Sequence, residues 1–176
     1  RGFKVHPIVG PDDNERFHPW MWRFWLEIPN YGQMTIFHHS WYRRVLLGRG
    51  EGTLNDLGWA RAIRDILDFE RALTDDGYIL IKHFLHISKE EQLNRFEARR
   101  DRPLKAWKLT DEDWRNRDKW DVYEQAVEDM LIKTTTAQAP WTVVAGNDKR
   151  FARVQVLQTV TERLSQELHV DTSPSA

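Results

Sequence analysis

The sequence predicts an α/β protein built around a mainly parallel sheet. Four short segments have the apolar or alternating character of strands, and each is followed by stretches with helical periodicity. Strands that alternate with helices favour parallel pairing through right-handed crossovers. The length of 176 residues suits one domain with its own core, which we expect over residues 1–170, with a tail or linker at 171–176.

The first half of the chain contains two predicted strands and two predicted helices. Residues 3–9 alternate between apolar and polar, and residues 34–38 form a short, mostly apolar run. Ser40 is expected to cap a helix ending near residue 47, and the three glycines within 48–52 indicate a loop. Apolar residues at helical spacing then predict a long helix from about residue 55 to residue 74.

The second half contains the strongest predicted strand, at residues 78–87. Its nearly continuous apolar character is typical of a strand buried on both faces of a parallel sheet. Ser88 begins a capping box, and Thr110 precedes an acidic first turn, so a helix is expected after each. A last strand at 140–146 is followed by Asp148, which opens the final helix. We expect the apolar residues of that helix to face inward: Phe151, Val154, Leu157, Leu164 and Leu168.

Composition excludes several classes of protein. The chain has no cysteine, which excludes disulfide frameworks, thiolate zinc sites and cysteine nucleophiles. No apolar run approaches the ~20 residues of a membrane-spanning helix. His83 and His86 would point to opposite faces of a strand, so a histidine metal site is not expected. The sequence contains neither a G-x-x-x-x-G-K-[ST] phosphate loop nor a G-x-S-x-G nucleophile elbow.

The net charge of −1 conceals a basic stretch from Arg95 to Lys119. Between Arg95 and Lys108 there are six basic residues and two acidic ones. Such a cluster suits a polyanion, because guanidinium and ammonium groups pair with phosphate oxygens. The alternative is a solvated charged face, since acidic residues from Asp111 onward restore neutrality. A nucleic-acid-binding module would use the same cations, but none of the motifs of such modules is present.

Ungapped motifs extend over nearly the whole chain. They are MWRFW at 21–25, LHISKEEQ at 85–92, RF at 95–96, WKLTDEDWR at 107–115, WDVY at 120–123, APW at 139–141 and NDKRFAR at 147–153. Together they resemble the polyphosphate kinase type 2 family, and in particular the subgroup that phosphorylates AMP from polyphosphate.

The resemblance implies a three-layer α/β/α P-loop kinase-like fold, related to thymidylate kinase, with a helical lid at about 95–120. It implies phosphoryl transfer between inorganic polyphosphate and AMP or ADP, with Mg²⁺, by a cytoplasmic protein that binds neither membrane nor nucleic acid. A homo-oligomer or a second domain of the same family is also expected. Polyphosphate would be bound by lid cations: Arg99, Lys105, Lys108, Arg115 and Arg117. Catalytic roles would fall to His38, Arg44, Arg49, Asp148 and Lys149.

Three departures from the family pattern bear on activity. The glycine-rich phosphate loop and the strand before it, which the family places upstream of Arg1, are missing from this sequence. The run at 38–42 reads HHSWY where the family usually has DRSWY, so His38 replaces an aspartate that would help to hold Mg²⁺. Histidine is a poor ligand for this hard cation. Gly48 also stands where the family commonly has an acidic residue.

Two hypotheses follow from the resemblance and its departures. In the first, the chain belongs to a phosphotransferase but is inactive alone. In the second, it is a degenerate, non-catalytic domain that binds polyphosphate or supports a partner domain.

Overall fold

The computed structural model describes residues 2–169, except for the side chain of Lys105. The predicted tail at 171–176 lies outside the described residues. The described strands are β1 (Phe3–Pro7), β2 (Met34–His38), β3 (Lys82–His86) and β4 (Trp141–Ala145). The described α-helices are α1 (Trp22–Trp25), α2 (Tyr42–Gly50), α3 (Asp56–Asp75), α4 (Lys89–Arg100), α5 (Pro103–Ala106), α6 (Asp111–Asp118), α7 (Trp120–Thr134) and α8 (Lys149–Leu168).

The strands pair in parallel, as the sequence predicts. β1 pairs with β2 and β3 pairs with β4, so the described strands form two parallel two-stranded sheets. The chain divides into two compact units, each with one of these sheets. The first unit comprises the residues up to 72 together with 125–134, and the second comprises 73–124 and the residues from 135 onward. No helix among residues 2–169 is long and apolar enough to cross a membrane.

Aromatic side chains build the core of the first unit. The buried ring of Trp41 lies 5.8 Å from that of Phe24 and 4.9 Å from that of Phe69, both edge to face. Such pairs add about 0.5–1.5 kcal/mol each beyond the burial of their area. The indole nitrogen of Trp20 donates to Asp65 at 2.9 Å, and the ring of Trp25 lies 4.7 Å from Phe69. The tryptophan-rich segment is therefore scaffold.

β3 is shorter and less buried than the sequence predicts. It spans Lys82–His86 rather than 78–87, and its burial falls along the strand from buried Lys82 to Leu85, which is 58% exposed. The prediction of a strand buried on both faces is wrong. In the part of the chain that the structure describes, β3 pairs with β4 alone, and the packing over the faces of this sheet leaves the carboxyl end of β3 exposed.

α2 continues through glycines that the sequence assigns to a loop. It ends at Gly50 rather than near residue 47, and its N-cap is Trp41 rather than Ser40. Gly48 is buried, and a Cβ added there would lie 2.5 Å from Cδ1 of Leu54. The absence of a side chain at Gly48 thus permits a close approach within a helix, and does not mark a flexible turn.

Restoring an acidic residue at Gly48 should destabilise the first unit. Gly48→Glu forces Leu54 to move, and overpacking of this kind costs about 1–3 kcal/mol of unfolding free energy. Urea denaturation measures the loss. Gly10→Ala is a matched control because a Cβ at Gly10 meets no atom within 4 Å. A Gly48→Glu chain as stable as the Gly10→Ala chain would contradict the packing.

The last helix, α8, begins where predicted. The face that it packs against its own unit is not the apolar face that the sequence predicts. Asp148 caps it, with Oδ1 accepting from the backbone nitrogens of Arg150 at 2.7 Å and Phe151 at 3.1 Å. The buried position is Ala152, and several half-buried positions share its side of the helix, among them Gln155, Val156 and Thr159. Four residues expected to face inward are therefore more than half exposed: Phe151, Val154, Leu157 and Leu168.

Candidate functional site

The carboxyl end of β2 forms a constrained turn. Ligands of parallel α/β sheets bind at the carboxyl ends of strands. His38 is the last residue of β2, and His39 and Ser40 follow it with φ of 73° and 43°. Such left-handed backbone is uncommon outside glycine, so two consecutive instances hold this turn in one specific shape. The turn leads directly into α2, whose first turn includes Arg44.

The side chains of this turn are imidazoles rather than carboxylates. The exposed rings of His38 and His39 lie 4.0 Å apart. Partial burial, together with the charges of His38 and Arg43, lowers the pKa of His39. Among residues 2–169 no group of three histidine, aspartate or glutamate side chains could hold a metal ion. Because Mg²⁺ prefers carboxylate oxygens, the donors of this turn do not fit the Mg²⁺ that the family resemblance implies.

A buried carboxylate anchors the start of α2. Glu70 of α3 is 2% exposed, and its Oε1 accepts from the indole nitrogen of Trp41 at 2.9 Å and from the hydroxyl of Tyr42 at 2.7 Å. Burial raises the pKa of the Tyr42 hydroxyl, and the Glu70 carboxylate raises it further, so Tyr42 keeps its proton and donates it. Glu70 therefore fixes the two residues that follow the His38–Ser40 turn.

Sequence reasoning missed Glu70, although a signal was present. Glu70 lies four residues after Ile66 and three before Leu73, on the apolar face of α3. A charged residue in such a position is rarely buried unless it has partners. The conflict between its charge and its position indicates an internal hydrogen-bonding role.

The two arginines predicted to hold phosphates occupy different parts of α2. Arg44 is exposed in the first turn, with its guanidinium 5.0 Å from the ring centre of Trp20. Arg49 lies roughly 7 Å farther along the helix axis. Its Nη1 contacts Oδ1 of Asp56 at 2.5 Å, and its guanidinium lies 4.8 Å from the ring centre of Trp59. Arg44 thus lies near the turn, whereas Arg49 joins α2 to α3.

In the second unit, a hydrogen-bonded network joins the carboxyl ends of β3 and β4. The backbone nitrogen of Ser88 donates to Oδ1 of Asn147 at 3.0 Å, and Asn147 donates back to the Ser88 hydroxyl at 3.3 Å. Arg95 donates to the carbonyls of Gly146 at 2.7 Å and Asn147 at 2.9 Å, and pairs with Glu91 at 2.7 Å. The loop between β4 and α8 is therefore held from α4.

This loop positions the two predicted catalytic residues of the second unit. Asp148 acts as the N-cap of α8, and its hydrogen bonds from the backbone of Phe151 and Arg150 lower its pKa. Lys149 follows as the first helical residue and is exposed. The structure places both at the carboxyl end of β4, and their catalytic role stays a prediction.

The predicted lid, at about 95–120, takes in the second half of α4 and all of α5 and α6, and one of its cations is used internally. Nη1 of the half-buried Arg117 donates to the carbonyl of Lys89 at 2.5 Å and to Oε1 of Gln92 at 3.1 Å. The ring of Trp114 packs edge to face on Phe96 of α4 at 5.1 Å. Arg117 therefore ties α6 to the first turn of α4.

The other lid cations face solvent to different degrees. Arg99 is half-buried in the last turn of α4, whereas Lys108 and Arg115 are exposed. The Lys108 ammonium lies 5.1 Å from the ring centre of Trp107, which is 73% exposed. Most of the Trp107 ring therefore faces solvent, while its indole nitrogen donates to the carbonyl of Leu104 at 3.1 Å. The side chain of Lys105 lies outside the described part of the chain.

Relatives of known name match most of this chain. A polyphosphate:AMP phosphotransferase of Pseudomonas syringae pv. tomato is 48% identical over 164 residues, which is 93% of this chain and 33% of that protein. One from Acinetobacter johnsonii is 42% identical over 171 residues, which is 97% of this chain and 36% of that protein. The chain thus spans about a third of the length of these relatives.

Solved structures share the fold. A crystal structure titled as a polyphosphate kinase 2 from Pseudomonas aeruginosa PA01 superposes with a TM-score of 0.91 at 48% identity, covering 97% of this chain and 36% of that one. Polyphosphate kinase 2 from Arthrobacter aurescens TC1 superposes with a TM-score of 0.92 at 36% identity, covering 99% and 61%. These neighbours confirm the P-loop kinase-like α/β class. Since the family model for polyphosphate kinase 2 also matches residues 1–171, the chain belongs to the polyphosphate kinase 2 family.

Proposed function

We propose that this chain is the polyphosphate-binding part of a cytoplasmic polyphosphate:AMP phosphotransferase and does not itself transfer a phosphoryl group. Relatives that carry this enzyme name are 42% and 48% identical to it. Inorganic polyphosphate and AMP or ADP are the proposed substrates of the whole enzyme.

Solvent-facing lid cations support the binding part of the proposal. Lys108 and Arg115 are exposed, and Arg99 is half-buried nearby in the chain. Guanidinium and ammonium groups form short, charge-assisted bonds to phosphate oxygens. Polyphosphate offers such oxygens along its whole length, so it can contact several lid cations at once.

The donor set at the His38–Ser40 turn is the observation that supports inactivity. Phosphoryl transfer depends on positioning and on cations that neutralise the developing charge. His38 and His39 offer imidazole nitrogens, and Gly48 cannot be replaced by an acid without displacing Leu54. Because residues 38–42 contain no carboxylate, this turn lacks the oxygen ligands that would hold a hard cation there.

A second candidate function is a degenerate domain that supports a partner domain. It is favoured by the internal use of two predicted phosphate ligands. Arg49 is bound to Asp56, and Arg117 is bound to the first turn of α4. Both arginines stabilise the fold in these positions, which is what a supporting domain requires.

Incubation of the chain with AMP, long-chain polyphosphate and Mg²⁺ tests the proposal. We expect no ADP above the background of a reaction without protein. ADP formed at a rate that Lys108→Ala abolishes would overturn the proposed inactivity. His38→Asp in a longer chain that also carries the family's upstream phosphate loop then tests the cause of inactivity. ADP formation after this change favours a phosphotransferase that lost its carboxylate, whereas continued inactivity shows that the missing carboxylate is not the main defect.

A further inference from the structure

Two arginines of α2 lie over tryptophan rings, and they differ in what else holds them. The guanidinium of Arg44 lies 5.0 Å from the ring centre of Trp20. That of Arg49 lies 4.8 Å from the ring centre of Trp59 and also pairs with Asp56. In the described part of the chain, the exposed side chain of Arg44 forms neither an ion pair nor a hydrogen bond. The two arginines share one kind of support, but only Arg49 is neutralised by a carboxylate.

A ring face holds a guanidinium without using its hydrogen-bond donors. The attraction joins the positive charge to the electron-rich face of the ring, so the N–H groups of Arg44 stay available to a ligand. A carboxylate would instead accept from these groups and neutralise their charge. Trp20 can therefore restrain Arg44 and still leave it able to bind a phosphate group with two parallel hydrogen bonds.

Trp20 is itself fixed by a hydrogen bond and by edge packing. Its indole nitrogen donates to Oδ2 of the half-buried Asp65 at 2.9 Å. Its ring lies 6.2 Å from that of the buried Phe24, edge to face. Asp65 belongs to α3, so a residue distant in sequence sets the orientation of the ring. The surface that supports Arg44 is thus rigid, and it restricts the rotamers that this long side chain can adopt.

We propose that Trp20 is a positioning residue, which holds the guanidinium of Arg44 ready for a phosphate group, and that Asp65 fixes Trp20 for this task. Arg44 lies in the first turn of α2, which follows the His38–Ser40 turn. The choice of a phosphate chain as ligand rests on the proposed function. An ordered Arg44 loses less side-chain entropy on binding, so Trp20 raises affinity without touching the ligand.

Binding of inorganic tripolyphosphate at low ionic strength tests this role. The starting chain carries Lys108→Ala and Arg115→Ala, so that these two lid cations do not contribute. In this chain, Arg44→Ala should weaken binding roughly tenfold and Trp20→Leu roughly fivefold. Trp20→Leu should have no further effect once Arg44 is replaced, because the ring acts through the guanidinium. Isothermal titration calorimetry measures each affinity.

A graded series separates positioning from a general effect on the fold. Trp20→Phe keeps a ring face but loses the indole nitrogen, so its affinity should lie between those of Trp20→Leu and the starting chain. Asp65→Asn and Asp65→Leu remove the same charge, but only asparagine keeps an acceptor for the indole. The Asp65→Leu chain should therefore bind roughly threefold more weakly than the Asp65→Asn chain.

Trp22→Leu is the matched control, because it removes another half-buried indole of the same segment. The ring of Trp22 stacks on His18 at 3.9 Å rather than on an arginine, so this variant should bind like the starting chain. Far-ultraviolet circular dichroism checks that every variant is folded. If Trp20→Leu does not fold, Trp20→Phe carries the same comparison.

The proposal is overturned if the starting chain does not bind tripolyphosphate, or if Arg44→Ala does not weaken the binding. It is also overturned if the loss caused by replacing Trp20 persists in the Arg44→Ala chain or is matched by Trp22→Leu. Failure of the proposed function is a separate result. It would appear as polyphosphate binding that the Lys108 and Arg115 substitutions leave unchanged.

Discussion

Glu70→Ala is expected to remove about 2–5 kcal/mol of unfolding free energy, because it removes the acceptor that two buried donors share. The donors are the indole nitrogen of Trp41 and the hydroxyl of Tyr42, which share Oε1 of Glu70. A domain has about 5–15 kcal/mol of net stability, so this loss is a large fraction of the whole. Urea denaturation followed by tryptophan fluorescence measures it.

Two substitutions separate the hydrogen bonds from the general loss of a carboxylate. Glu70→Gln keeps an amide oxygen where Oε1 lies, so it should cost less than half as much as Glu70→Ala. Glu51→Ala removes an exposed carboxylate and should change stability little. If the Glu70→Ala and Glu51→Ala chains unfold at the same urea concentration, Glu70 does not anchor the start of α2.

Loss of exposed lid cations is expected to weaken polyphosphate binding in a salt-dependent way. Replacing both Lys108 and Arg115 by alanine should lower affinity roughly tenfold at low ionic strength. It should also reduce the slope of log affinity against log salt by roughly one for each lost contact, as in counterion release from a linear polyanion. Fluorescence titration at several salt concentrations gives both quantities.

Arg64→Ala is the control for overall charge, because Arg64 is exposed on α3 outside the lid. Arg117→Ala is expected to act differently, by loosening the tie between α6 and α4 and lowering thermal stability. The lid assignment fails if the Lys108 and Arg115 double variant binds polyphosphate as tightly as the Arg64→Ala chain.

The sequence predicts a strand or a helix cap correctly where a short local signal determines it. The strand at 34–38 has the predicted bounds, and the side chains of Ser88 and Thr110 accept from the backbone three residues on. Asp148 caps α8 as predicted. These features depend on a short apolar run or on one side-chain oxygen, both of which are visible in a short window of sequence.

Features that depend on distant neighbours could not be predicted in the same way. Burial of β3 requires packing over both faces of its sheet. The apolar run at 79–81 does not reveal whether such packing is present. Gly48 resembles a loop residue, but its reason is the close approach of Leu54. The inward face of α8 is set by Ala152 rather than by its larger apolar residues. The contacts of Arg49 with Asp56 and of Arg117 with the carbonyl of Lys89 likewise depend on partners elsewhere in their units.

Calorimetric titration of long-chain polyphosphate into the chain at low ionic strength tests the central claim most directly. We predict saturable binding that weakens steadily as salt is raised, together with no ADP when AMP and Mg²⁺ are added. Absence of any salt-sensitive binding would contradict the proposal that the lid of this family member binds polyphosphate.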